Sequence, residues 1–315
     1  MDIELRPLRL SEILDRIFQL YRARLVLFLG IAGIATLVDL VWSVVNMAIA
    51  RWMAAHHVSL TARQWVTGVS SIPGWIFVFA GAALCLAATS RAVTAIYDGR
   101  PTGIAAALFA LRSTWLRCIW VNILAFLIAW GSILLIFLGG VSAVLLAARA
   151  KTLGQANAVT GVYGSMALLI FLAVPLCAWL TLRYSLAVPA CAEEQLGVLR
   201  SLKRSVFLTR QTKGRILILL MIVVAAQSTL GGAFLAPIFP FLMRSRGQPS
   251  FAMMAYMLAV NALSSALIKP IYSIGLTLFY YDERIRKEGF DIERALERSM
   301  AEVPNERLAS TGSLS

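Results

Sequence analysis

The chain has 315 residues, of which 59% are hydrophobic and 14% charged, with a mean hydropathy of +0.78 and a formal net charge of +13. Soluble globular domains carry about 25% charged residues, so the composition excludes an ordinary cytosolic enzyme, a fibrous repeat and a disordered chain. It leaves an all-α polytopic membrane protein. The basic residues lie beside apolar runs, and no stretch outside those runs could form a folded basic module. They therefore point to topology and anionic lipid headgroups rather than nucleic acid.

The N-terminal segment, residues 1–24, reads as a cytoplasmic interfacial helix. From Ser11 to Arg24, Leu10, Ile13, Leu14, Ile17, Phe18 and Tyr21 share one helical face, with Glu12, Asp15, Arg16, Gln19 and Arg22 opposite. Ser11 is the expected N-cap, and the apolar face is expected to meet acyl chains. Runs of about 20 apolar residues then predict about six spans within residues 25–281: 25–50, 72–96, 116–146, 159–188, 216–242 and 251–281. Ala48-Ile49-Ala50 resembles a signal cleavage site, but the run before it exceeds the 7–15 residues of a signal core. The first span is expected to be retained.

Between spans two and three, Thr102 is expected to cap a second short helix that turns Ile104, Leu108, Leu111 and Trp115 toward the membrane. Between spans four and five, Leu199, Leu202, Val206 and Phe207 form the apolar face of a third, with Arg200, Lys203, Arg204 and Arg210 around it. Aligned without a gap, Ser11, Ile13, Phe18, Leu20 and Leu25 match Thr102, Ile104, Phe109, Leu111 and Leu116. This suggests a threefold pseudo-repeat of one interfacial helix and one two-span hairpin. Pro175, Pro237, Pro240 and Pro270 are expected to kink the spans.

Lys and Arg number 20 in the two termini and the second and fourth loops, against 6 in the other three loops. The positive-inside rule therefore places both termini in the cytoplasm. After the sixth span, Asp282, Glu283, Arg284, Arg286 and Lys287 can pair along one helix that Gly289 would end. Residues 282–303 read as a C-terminal cytoplasmic helical segment, including a short helix starting at Asp291. Residues 304–315 read as a disordered tail.

Charges inside spans are costly and so informative. Arg91 and Arg183 are near enough to a boundary to snorkel. Asp39 and Lys269 are not: at 1.5 Å per residue they lie about 22 Å and about 18 Å from the cytoplasmic boundary. They are expected to pair between the first and sixth spans, as a structural salt bridge or as a proton or ion relay. Arg16, Arg22, Arg24, Lys203, Arg204 and Arg210 are the expected headgroup contacts.

Catalytic and metal signatures fail one by one. The four cysteines, Cys85, Cys118, Cys177 and Cys191, form no C-x-x-C pair, and the only histidines are the adjacent His56 and His57. Glu193-Glu194 begins a prenyl-protease-like signature, but Val198 stands where Arg is required. No P-loop, H-E-x-x-H or G-x-S-x-G motif occurs. No enzyme activity, metal or cofactor is expected.

The run Arg6-Pro7-Leu8-Arg9-Leu10-Ser11-Glu12-Ile13-Leu14-Asp15-Arg16-Ile17-Phe18-Gln19-Leu20-Tyr21-Arg22 resembles the opening of bacterial proteins with the glycerophosphoryl diester phosphodiesterase membrane domain. Ser201-Leu202-Lys203-Arg204-Ser205 through Thr209-Arg210 resembles the middle of that family. Leu278-Phe279-Tyr280-Tyr281-Asp282-Glu283-Arg284-Ile285-Arg286-Lys287-Glu288-Gly289-Phe290-Asp291 resembles its end. The resemblance implies a stand-alone membrane module of the bacterial inner membrane. The catalytic barrel fused to some relatives needs roughly 250 residues, and only a short tail follows Tyr281, so no catalytic residue carries over. The role expected is lipid-associated organisation or regulation, with anionic headgroups and, in one form, a protein partner. A small-molecule or lipid transporter is the alternative.

Overall fold

A computed structural model describes residues 8–56, 58–131, 173–244 and 250–289, together with Gly139 and Phe171. Regular structure among them is helical. In chain order the helices are α1 (Leu10–Ala23), α2 (Leu25–Ala55), α3 (Leu60–Tyr97), α4 (Ile104–Phe109), α5 (Trp115–Gly131), α6 (Ala173–Glu194), α7 (Val198–Leu208), α8 (Lys213–Leu235), α9 (Phe239–Arg244) and α10 (Phe251–Glu288). Five of these stretches are long and apolar enough to cross a membrane: Leu25–Met53, Thr61–Tyr97, Ala173–Glu194, Lys213–Phe241 and Phe251–Glu288. Helix α5 is the described part of the third predicted span. Residues 132–138 and 140–170, which carry the rest of spans three and four, lie outside the described residues, as do 1–7 and the expected segment and tail over 290–315.

Helix α10 is the axis of the fold, packing against α1, α2, α3 and α8. Gly275 makes a close crossing. A Cβ there would lie 2.5 Å from Leu219 of α8 and 3.1 Å from Ile17 of α1. That notch explains where α1 goes. Its Ile13, Ile17 and Leu20 are buried in the protein core, not turned to acyl chains as expected. Protein and lipid are equally apolar partners, so close packing decides between them.

Other expectations are corrected in detail. Helix α1 starts at Leu10 with Arg9 as N-cap; the Glu12 carboxylate accepts the Arg9 N–H at 2.8 Å, and Ser11 does not cap. Helix α4 begins after Gly103, not Thr102, and Leu111 is buried while only Trp115 of the expected face is strongly exposed. The buried face of α7 is Ser201, Leu202, Ser205 and Leu208, whereas Leu199 and Phe207 point outward. Helix α3 starts well before residue 72 and accommodates Pro73, while α10 runs unbroken through Pro270 and past residue 281. It ends where Gly289 adopts φ 64°, the left-handed conformation that glycine takes without strain.

Helix α6 is interrupted by a turn at residues 185–186. Pro189 has no N–H for the Ser185 carbonyl four residues back, and its ring crowds that carbonyl. Side chains serve the backbone just before the break: the Ser185 hydroxyl donates to the Leu182 carbonyl at 2.9 Å. The Arg183 carbonyl accepts from Ser205 at 2.9 Å and Thr209 at 3.1 Å. The polar stripe of α7 thus satisfies the broken backbone of α6.

Candidate functional site

Two polar regions stand out, one at mid-span and one at the end of the bundle where α2, α5 and α8 begin. At mid-span, Lys269 Nζ of α10 donates to Asp39 Oδ2 of α2 at 2.9 Å. The two residues are brought together with their side chains 30% and 21% exposed. Thr36, Ser43, Asn261 and Ser265 line a niche of about 40 Å³ beside them. The niche has room for a water molecule or two, and Asp39 Oδ1, buried without a hydrogen-bond partner, is the group that a water would serve. Ser43 and Thr36 turn their hydroxyls back to their own helix, onto the Asp39, Ala32 and Gly33 carbonyls.

The second region is denser. Asp282, whose side chain is fully buried, accepts the Leu8 N–H at 2.8 Å through Oδ1. Its Oδ2 accepts from Arg215 at 2.8 Å and Arg286 at 3.0 Å, and both guanidinium groups also donate to the Leu8 carbonyl. One carboxylate thereby ties Leu8, just before α1, to α8 and α10. Glu283, equally buried, pairs with Lys287 at 3.0 Å, and Lys287 donates in turn to the Phe207 and Leu208 carbonyls at the end of α7. A lysine from α10 thus serves as the C-terminal partner of α7.

Next to it, Arg204 of α7 donates to Glu194 at 2.9 Å and to Glu288 at 2.7 Å. Burial alone would lower its pKa, but the bonds to Glu288 and Glu194 outweigh burial and hold it above the ordinary guanidinium value. Tyr280 donates to Glu194 at 2.6 Å, and Tyr281 reaches Glu193 at 3.2 Å.

The residues expected at headgroups divide accordingly. Arg22, Arg24, Lys203 and Arg210 are exposed; Arg16 is half-buried beside Tyr97; Arg204 is turned inward. Exposed aromatic side chains, Phe18, Phe109, Trp115 and Phe207, lie on the same short helices or beside them. The sequence reading missed Glu193 and Glu194, which it met only as a failed protease signature. It also placed Arg91 as a snorkelling residue, yet its Nε is buried without a partner and its charge acts on Glu193. Their one sequence signal is two acids at the end of an apolar run that is otherwise followed by bases. Among the described residues, no group of three or more His, Cys, Asp or Glu is placed to hold a metal ion.

Comparison with protein-family models, with curated proteins and with solved structures returns no match.

Proposed function

We propose that this chain is a non-catalytic integral membrane protein that gathers anionic lipid headgroups at its basic end. The observation that carries the reading is a sorting of charge. At that end Asp282, Glu283, Glu193 and Glu194 are drawn inward, whereas Arg22, Arg24, Arg112, Arg117, Arg200, Lys203 and Arg210 are exposed. The surface left to the headgroups is basic and fringed with aromatics, the pattern that favours an anionic leaflet by about 1 kcal/mol per well-placed Lys or Arg. By the positive-inside rule this end faces the cytoplasm of a bacterial inner membrane, with both termini there. The resemblance to the glycerophosphoryl diester phosphodiesterase membrane domain supports a membrane module of this kind. A short helix before each of α2, α5 and α8 supports a threefold repeat.

The test is thermal unfolding in detergent with added phosphatidylglycerol or phosphatidylcholine. Phosphatidylglycerol should raise the midpoint of the wild type selectively, and the Arg22→Gln, Arg24→Gln, Lys203→Gln, Arg210→Gln variant should lose that selectivity. Equal responses of the two proteins would remove the reading. A transporter is the second reading, favoured by the broken α6, since interrupted helices recur at transport sites; it requires substrate uptake into proteoliposomes.

A further inference from the structure

The break in α6 opens beside a cavity of about 140 Å³ between α3, α5, α6 and α10. Phe79, Phe126 and Trp130 form one side of it. The Phe79 and Phe126 ring centroids lie 4.0 Å apart, and Phe126 and Trp130 stack at 5.7 Å with 17° between planes. Thr181 and Tyr184, just before the break, and Tyr272 of α10 line it too. None of these three hydroxyls has a hydrogen-bond partner among the described residues. Among the described residues, no charged side chain lines the cavity. We propose that this cavity is a binding site for an uncharged, ring-sized, membrane-soluble molecule carrying carbonyl oxygens.

Four physical features select that ligand class. A cavity of this volume holds a single six-membered ring. A flat ring would extend the run of aromatic side chains, since such rings prefer stacked or tilted contacts with centroids about 4.5–7 Å apart. The absence of charge rejects ions, because a charged ligand would be desolvated without a counter-charge. The spare hydroxyls donate to carbonyl oxygens, and a ligand without them would leave buried donors unsatisfied. The site needs Pro189, because a continuous α6 would alter the wall that Tyr184, Ser185 and Val188 supply.

The full-length protein in detergent is titrated with decyl-benzoquinone, and quenching of its eight tryptophans is followed. A saturable component is expected above the linear quenching caused by partition into the micelle. It should vanish in Ala125→Phe, which fills the cavity. It should weaken about tenfold in the Tyr184→Phe, Tyr272→Phe variant, which keeps the volume and removes hydrogen bonds. If Ala125→Phe does not fold, the hydroxyl variant still decides. Purely linear quenching, or saturable quenching that the variants leave unchanged, would overturn the proposal. Displacement of the quinone at equal concentration by a short-chain diacylglycerol, which has ester carbonyls and no ring, would overturn the assignment to a ring.

Discussion

Asp39 and Lys269 sit where each charge alone would be expensive, and the 2.9 Å contact between them sets what their loss should do. Removing one partner of a fully buried pair costs about 3–5 kcal/mol. These side chains are 21–30% exposed, which screens them and reduces the expectation to about 1–3 kcal/mol. Thermal unfolding in detergent should show Asp39→Asn and Lys269→Met each more destabilised than the double variant. Additive effects would mean that the two do not act as a pair. Asp282 should be more sensitive. It is fully buried, with two arginines and a backbone N–H converging on it. Asp282→Ala should cost about 3–5 kcal/mol and loosen the start of α1, visible as faster proteolysis near Leu8. The mid-span residues were legible in the sequence because any charge inside an apolar run stands out. Asp282 and Glu283 were not distinguishable from Arg284 and Arg286. Which charges turn inward depends on where α7 and α8 dock, and that is not written in local spacing.

Among the elements, α6 and α7 depend on each other most closely. Pro189 breaks α6, and Ser205 of α7 and Thr209 just after it donate to the Arg183 carbonyl beside the break. Substituting both hydroxyls by Ala should leave that carbonyl without its hydroxyl donors and cost about 1–3 kcal/mol, measured by thermal unfolding. An unchanged midpoint in that double variant would contradict the coupling of α7 to α6. Helix periodicity announced α1 and α7 as amphipathic, but not which partner covers their apolar faces. For α1 the deciding feature is Gly275, far away in sequence, which opens room for Ile17 on α10. For α7 the pattern of Leu and Val misled, because the buried stripe includes Ser201 and Ser205, chosen for what their hydroxyls bond. The break at residues 185–186 had a visible cause in Pro189, yet a proline directly after the predicted end of span four at residue 188 reads equally well as the start of a loop.

Across the whole molecule, one end of the bundle concentrates charge: Asp282, Glu283, Glu193 and Glu194 turn inward with Arg204, Arg215 and Lys287, and most of the exposed charges are Lys and Arg. Among the described residues, the opposite end carries little: Arg51 packs over Phe251 at 4.5 Å, and Arg63 donates to the Val58 carbonyl. This asymmetry was already present in the count of Lys and Arg between spans. The structure adds that Asp282, Glu283 and Glu194 are consumed in pairs with Arg215, Lys287 and Arg204, which leaves the exposed charges at that end predominantly Lys and Arg. Arg204 illustrates the limit of counting, since it belongs to the basic total yet serves Glu194 and Glu288.

The most direct measurement is native mass spectrometry of the mildly purified protein, with identification of every lipid that stays bound. Selective retention of anionic lipid by the wild type, lost when Arg22, Arg24, Lys203 and Arg210 are neutralised together, is the predicted result. Retention without headgroup preference, or anionic lipid held equally well after the four are neutralised, would contradict the account.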